Sequence, residues 1–426
     1  MPPMELTIEK LVYGGEGLAH HDGSTVFVPF VLPAERVAAA PVEQKKKFVR
    51  ARMEKVLEAS PERITPFCPH FAICGGCDYQ HIPYQAQLEF KSGILRETLR
   101  RLGKIDWTGP VTLHASPPLG YRNRAQWKLR PLDSGKPALG IGYFRANSTA
   151  LCPVEDCRIL SPLLLNTLLA LSEALASDLL PVELREIEAF VDAEDSQVLL
   201  TANFAGFPLR SADLAEKIRG RVPSLESLVF YDASHDRMEL FGPGYLNYAV
   251  DGRTYRVGHF SFFQVNKFLV AELARAVGDR EAPGETALDL FAGVGLFSLP
   301  LAERFKHVIA VEENPAAARD LEANARGNGS IEVRAAGVER FLKQIKQTPD
   351  FVVVDPPREG VPRPALERLL QLSPPRISYV SCEPPTLARD LVLLLKSGYE
   401  ISEIHLFDLF PQTFHMEAVI HLHRRT

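Results

Sequence analysis

TALDLFAGVGLFS, residues 286–298, decides the fold: an unbroken apolar run enters a glycine turn and leaves it in a helix-like pattern. Four later stretches have the same near-continuous apolar character: HVIAVE (307–312), IEVRAA (331–336), FVVVDP (351–356) and RISYVSC (376–382). Strands buried on both faces of a parallel sheet look like this. The helical patterns between them give β-α alternation, hence a doubly wound α/β fold. ISEIHLFDLF and HMEAVIHLH, linked around Pro411, predict an antiparallel hairpin at the end of the sheet.

Upstream the pattern changes. Residues 1–59 are short β-runs punctuated by turn signals, as in a small β-barrel. SPERITPFC (60–68) is an irregular connection, and Leu88, Ile94, Leu95, Leu99 and Leu102 recur at helical spacing over 83–102. From 111 to 250 the pattern is mixed α+β, with strand-like stretches at 124–130, 138–144, 196–204 and 226–232 and a helix at 161–176. Three units are expected: 1–59, 60–250 and 251–426.

The 426 residues carry a net charge of −5, so a nucleic-acid site must be a local basic patch. The start lacks a basic leader and an apolar core, and the apolar run 160–176 is too short to span a bilayer. A cytoplasmic chain with no membrane partner is expected, and a monomer. Its six cysteines then point to metal ligands or catalysis, not disulfides.

Gly293 and Gly295 let the backbone approach a ligand at the strand's carboxyl end, where such folds bind ligands. Glu312, ending the second strand, is placed to accept hydrogen bonds from ribose hydroxyls. A dinucleotide site asks for a third glycine where Ser298 stands. The pattern favours S-adenosylmethionine, whose sulfonium needs no anion-binding helix end, and the closing hairpin agrees with a class I (Rossmann-like) methyltransferase domain. Asp355, in DPPREG (355–360), is either a carboxylate at the pocket mouth or a plain strand stop.

Cys382 ends the fifth strand at the same edge. A cysteine in an apolar run is commonly a small hydrophobe. Its position, the stiffening prolines Pro384 and Pro385, and a following helix whose N-terminus lowers a thiol's pKa favour a nucleophile instead. Glu417, between Met416 and Ala418, is either a base in a partly apolar site or a solvated strand charge. Cysteine, carboxylate and methyl donor together suit methylation of uracil carbon 5, which becomes nucleophilic only after a thiolate adds at carbon 6.

FCPHFAICGGCDYQH (67–81) carries Cys68, Cys74 and Cys77, three thiols within ten residues, and LCPVEDCRIL offers Cys152 or Cys157 as a fourth ligand. Zinc or a 4Fe-4S cluster accepts four thiolates. The spacing differs from that of radical enzymes that cleave S-adenosylmethionine, so a structural role is expected.

Taken together, these motifs resemble those of bacterial RNA uracil-5-methyltransferases of the 23S rRNA type, over nearly the whole chain. The stretch that opens on IEKLVYGGEGLA and runs to residue 68 resembles the TRAM domain, an OB-like RNA-binding barrel. The resemblance implies a 4Fe-4S cluster on Cys68, Cys74, Cys77 and Cys157. It implies Cys382 as nucleophile, through similarity of 381–386 to S-C-N-P-x-T, and Glu417 as base, through the match of 410–417 to F-P-x-T-x-H-x-E. Gln264, in FSFFQVN, with Phe291, Glu312 and Asp355, are the implied cofactor positions. Glu383 and Leu296 depart from the pattern, each replacing an asparagine.

YRNRAQWKLR (121–130), as a strand, puts Arg122, Arg124, Lys128 and Arg130 on one face, a charge row that RNA phosphate would neutralise. Phe262 and Phe263 are placed to stack on splayed bases. The expected partner is RNA, 23S rRNA ahead of tRNA. The alternatives are an amino-group methyltransferase built on the D-P-P motif, and a cluster-bearing RNA-binding protein without activity.

Overall fold

The computed structural model describes residues 3–131, 139–177, 179–279 and 282–425. At the N-terminus six strands form a barrel-like sheet in the order Met4–Thr7, Arg36–Gln44, Phe48–Glu58, Ser24–Pro29, Glu16–His21 and Lys10–Leu11. Alternation along these strands turns Val26, Val28, Val37 and Ala39 inward onto Leu6, Ile8 and Val31.

The middle of the chain builds a seven-stranded mixed sheet, ordered Leu151–Pro153, Leu139–Phe144, Arg124–Pro131, Leu184–Val191, Val198–Phe204, Leu225–Asp232 and Arg237–Phe241. Helices Pro162–Ala176 and Ser211–Arg221 bury their apolar stripes against it. The first is capped by Ser161, which accepts from Leu164 N at 3.4 Å, with Pro162 pre-set for the first turn. Residue 138, in the strand-like stretch 138–144, lies outside the described residues.

The C-terminal sheet has eight strands, ordered Ile331–Ala335, Phe305–Glu312, Gly284–Leu290, Phe351–Val354, Arg376–Ser381, Glu417–Arg424, Tyr399–Phe407 and Val111–His114. The first five are parallel, and the closing hairpin is antiparallel. Both faces are covered: Leu288, Leu290, Val352 and Val354 meet one apolar layer, Ala287, Val308 and Val353 the other. This two-sided burial is why the strands have no polar alternation.

Two elements from the 60–250 stretch belong to this sheet's packing. Val111–His114 pairs in parallel with Tyr399–Phe407, from Val111 opposite Ile404 to His114 opposite Phe407. Helix Tyr84–Gly103 packs along helix Pro384–Lys396. Its stripe of Leu88, Ile94, Leu95 and Leu99 is buried, whereas Leu102 is exposed. The same face buries Gln87 and Lys91. Among the described residues no helix is long and apolar enough to cross a membrane.

Candidate active site

At the carboxyl edge of the parallel strands lies a cavity of about 910 Å³ whose wall includes Gln264, Phe291, Glu312, Asp355, Cys382 and Glu417. The chain reaches it through a strained turn: Phe291, with φ of 64°, follows strand Gly284–Leu290 directly, and Gly293 has φ of 56°. The two glycines of the turn serve different ends. A Cβ on Gly293 would meet nothing within 4 Å, leaving backbone open to a ligand, whereas one on Gly295 would stand 2.7 Å from Leu321 Cδ1. Gly295 is therefore a packing residue.

Glu312 Oε2 accepts from Gly293 N at 2.8 Å and its Oε1 from Asn314 N at 2.7 Å. It thus fixes the glycine turn as well as facing the cavity, and each oxygen keeps a lone pair for a ligand. Asp355 follows strand Phe351–Val354, with Pro356 and Pro357 continuing the wall. Burial, then the neighbouring Asp289, raises its carboxyl well above the usual range.

Cys382 lies between strand Arg376–Ser381 and helix Pro384–Lys396. The helix N-terminus predicts a lowered thiol pKa; the structure reverses that expectation. Burial, then Glu417 and Asp355, push the thiol up to about 12, and Arg358 alone among the neighbours acts the other way. Desolvation and three carboxylates, Glu417, Asp355 and Glu383, outweigh the helix end. Glu417 opens the strand Glu417–Arg424, and burial followed by Asp355 raises its carboxyl strongly. It is a buried group, not a solvated strand charge: only 4% of its surface is exposed.

The segment leading into Glu417 is held from several directions. Lys91 donates to Phe410 O at 3.0 Å, Tyr121 Oη to Pro411 O at 3.0 Å, and Asp78 N and Tyr79 N both to Gln412 O at 2.9 Å. Gln87 and Gln412 exchange two further bonds of 3.0 Å. Arg358 and His415 also line the cavity. Burial pushes His415 down to about 4, so it is neutral near pH 7. Sequence motifs contained both, in D-P-P-R and in 410–417, without a sign that their side chains face the site.

Only one of the two aromatic candidates is free to stack. Phe263 is buried against Tyr248, ring centroids 4.7 Å apart, whereas Phe262 is 62% exposed at the cavity rim beside Phe260. Arg124, Lys128 and Arg130 alternate as expected along strand Arg124–Pro131, whereas Arg122 precedes that strand and lines the cysteine cavity, and the protein neutralises much of the row. Arg124 pairs with Glu188 at 3.3 Å and lies over the Phe190 ring, and Lys128 pairs with Glu186. The carboxylates come from strand Leu184–Val191, whose place beside Arg124–Pro131 sequence spacing did not disclose. RNA phosphate is not needed to hold these two cations.

A second cavity, of about 250 Å³, is lined by Cys68, Cys74, Cys77 and Cys157 with Arg122, Tyr143, Phe67, Phe71 and Ile159. Cys152 is not on this wall, although its sulfur stands 3.8 Å from Nδ1 of His70, which is. Among the described residues no three His, Cys, Asp or Glu side chains stand close enough together to hold a metal ion. Cys68, Cys74, Cys77 and Cys157 nonetheless line one cavity, and thiols are the donor type that both zinc and a 4Fe-4S cluster take.

Residues 245–425 match the family model for tRNA (uracil-5-)-methyltransferases. The chain is 33% identical to the 23S rRNA (uracil(1939)-C(5))-methyltransferase RlmD of Alkalilimnicola ehrlichii, over 98% of this chain and 96% of that protein. It is also 33% identical to RlmD of Klebsiella pneumoniae, over 99% and 95%. Among solved structures it is similar to the tRNA (uracil-54, C5)-methyltransferase of Pyrococcus abyssi in complex with S-adenosyl-L-homocysteine. There the TM-score is 0.78 at 27% identity, covering 98% of this chain and 100% of that one. With its donor-type turn and its cysteine and carboxylate in one cavity, the chain belongs to the RNA uracil-5-methyltransferase family and is an S-adenosylmethionine-dependent enzyme.

Proposed function

We propose that the protein methylates carbon 5 of a uracil in structured RNA, 23S rRNA ahead of tRNA, through a covalent adduct with Cys382. The observation that carries this is the joint presence of Cys382 and Glu417 on the cavity that also holds Gln264, Phe291, Glu312 and Asp355. The open backbone at Gly293 and the carboxylate of Glu312 suit S-adenosylmethionine, which supplies the methyl group when bound. The rRNA preference rests on the RlmD relatives and on the TRAM-like opening.

Cys382 Sγ adds to uracil carbon 6, and the C5–C6 electron pair moves to carbon 5 as an enolate. Carbon 5 then takes the methyl group as its bond to sulfur breaks, leaving a neutral thioether. Glu417 removes the proton from carbon 5, the C5–C6 double bond re-forms, and Cys382 is expelled. The raised pKa of Glu417 makes it a stronger base than a solvated carboxylate. Arg358, the cation acting on Cys382, favours the thiolate this needs. The target base leaves its stack to reach the thiol, with exposed Phe262 at the rim to receive it.

The barrel 1–59 acts as a TRAM-type RNA contact, 60–250 carries the cysteine site and 251–426 most of the methyltransferase. Cys68, Cys74, Cys77 and Cys157 hold a 4Fe-4S cluster, supported by the family spacing and by their common cavity. Arg122 on that wall offsets the charge of four thiolates. The cluster is structural, fixing the cysteine loop whose next residues, Asp78 and Tyr79, hold Gln412.

The test is transfer of labelled methyl from S-adenosylmethionine to unmodified 23S rRNA and tRNA, with nucleoside analysis, for wild type and Cys382→Ala. Label in 5-methyluridine of 23S rRNA with wild type alone is expected. Label in methyladenine, or an active alanine variant, would overturn the mechanism.

A further inference from the structure

The barrel touches both sides of the catalytic pair through one side chain. Tyr13 stands in the turn after strand Lys10–Leu11, a turn closed by Val12 N donating to Glu16 O at 2.9 Å and Gly15 N to Val12 O at 3.3 Å. Its hydroxyl donates to Glu383 Oε2 at 2.9 Å and lies 3.4 Å from Cys382 O. Its ring meets Phe414 edge-on, centroids 5.5 Å apart at 89°. Phe414 in turn lies against His415 of the cavity wall, 4.1 Å between ring centroids. The adjoining Gly15 has φ of 83°, and a Cβ there would stand 3.1 Å from Phe414 Cδ1, so the turn sits flush on that segment.

Tyr13 therefore bridges the segment bearing the nucleophile and the segment bearing the base, although it belongs to neither and lies 369 positions from Cys382. We infer that Tyr13 is a positioning residue: bonded to Glu383 and packed on Phe414, it holds the Cys382 and Glu417 segments in register, so that the barrel sets the geometry of the site. Glu383, which departs from the family's asparagine, is the acceptor this contact uses. Burial and the Glu383 carboxylate keep the Tyr13 phenol protonated, hence a donor throughout the working pH range. The inference rests on the proposed roles of Cys382 and Glu417, but its structural part can be read without them.

Tyr13→Phe removes the hydroxyl and keeps the ring. Expected are a kcat for methyl transfer down about tenfold with KM for RNA within about twofold, the loss of one bond to a charged acceptor. In the free protein, iodoacetamide should alkylate Cys382 about threefold faster at pH 8, its segment being released. In a Glu383→Ala background Tyr13→Phe should change neither quantity further. Unchanged kcat and alkylation, an effect confined to RNA KM, or an undiminished effect in Glu383→Ala would each overturn the inference. Were wild type to form no 5-methyluridine, the methylation reading would fail, while the alkylation comparison would still decide the role of Tyr13.

Discussion

Lys91 donates to Asp408 Oδ1 at 2.6 Å with both side chains fully enclosed. The pair links helix Tyr84–Gly103 to the end of strand Tyr399–Phe407, where the chain turns toward Glu417. Burial pulls the ammonium's pKa down, and Asp408 is the largest influence holding it up. Lys91→Met leaves the carboxylate buried and unpaired, which costs about 3–5 kcal/mol. Urea denaturation should show that loss of stability. Residual methylation should fall with it, because the ammonium also bonds Phe410 O.

Glu417→Gln keeps the shape of the side chain and removes the base. Methyl transfer to carbon 5 does not need the carboxylate, but release of Cys382 does. Turnover should drop by at least about a hundredfold. A protein–RNA adduct that survives denaturing electrophoresis should accumulate. Slow turnover without an adduct would place Glu417 before the methylation step.

Asp289 gives a pH signature. Ser298 Oγ donates to its Oδ2, Oδ1 has no partner among the described residues, and burial raises the carboxyl to about 7. The unfolded value is about 3.9, so the folded state holds this proton more tightly. The stability this contributes is complete below about pH 4 and is lost as pH rises through about 7. In Asp289→Asn the fall in melting temperature of ligand-free protein between about pH 5 and pH 8 should shrink. An equal fall in both proteins would show that Asp289 is not the group titrating.

The cysteine site is testable without activity. Protein made with iron and without oxygen should carry about four irons per chain and absorb in the visible. Cys77→Ser and Cys157→Ala should lose most of that iron. Cys152→Ala should keep it, because Cys157 and not Cys152 is on the wall of the cavity shared with Cys68, Cys74 and Cys77. Iron lost with Cys152 but retained without Cys157 would exchange their roles.

The parallel sheet was legible because each strand is buried twice over and therefore apolar throughout, and the glycine turn because strain demands particular residues. Gln264, Phe291, Glu312, Asp355, Cys382 and Glu417 were legible through motifs, and the structure brings them to one wall. The direction of the Cys382 shift was not. It depends first on burial and then on Glu417 and Asp355, 35 and 27 positions away in sequence, which no local pattern reports. Lys91 was hidden for a related reason: a lysine among leucines on a helix face is ordinarily solvated, and Asp408 together with the Phe410 carbonyl makes its burial tolerable. Glu186 and Glu188 likewise cancel charges that sequence alone leaves exposed.

The strand Val111–His114 makes the methyltransferase sheet discontinuous in the chain. The polypeptide contributes this border first, departs to build the seven-stranded sheet, and returns for the remaining strands. During synthesis the border segment must therefore wait for Tyr399–Phe407, which emerges long after it. A fragment starting at 251 would leave Tyr399–Phe407 with a bare row of amides and carbonyls, an invitation to intermolecular pairing. A soluble catalytic fragment should thus require residues 84–114 to be supplied in trans or grafted by circular permutation.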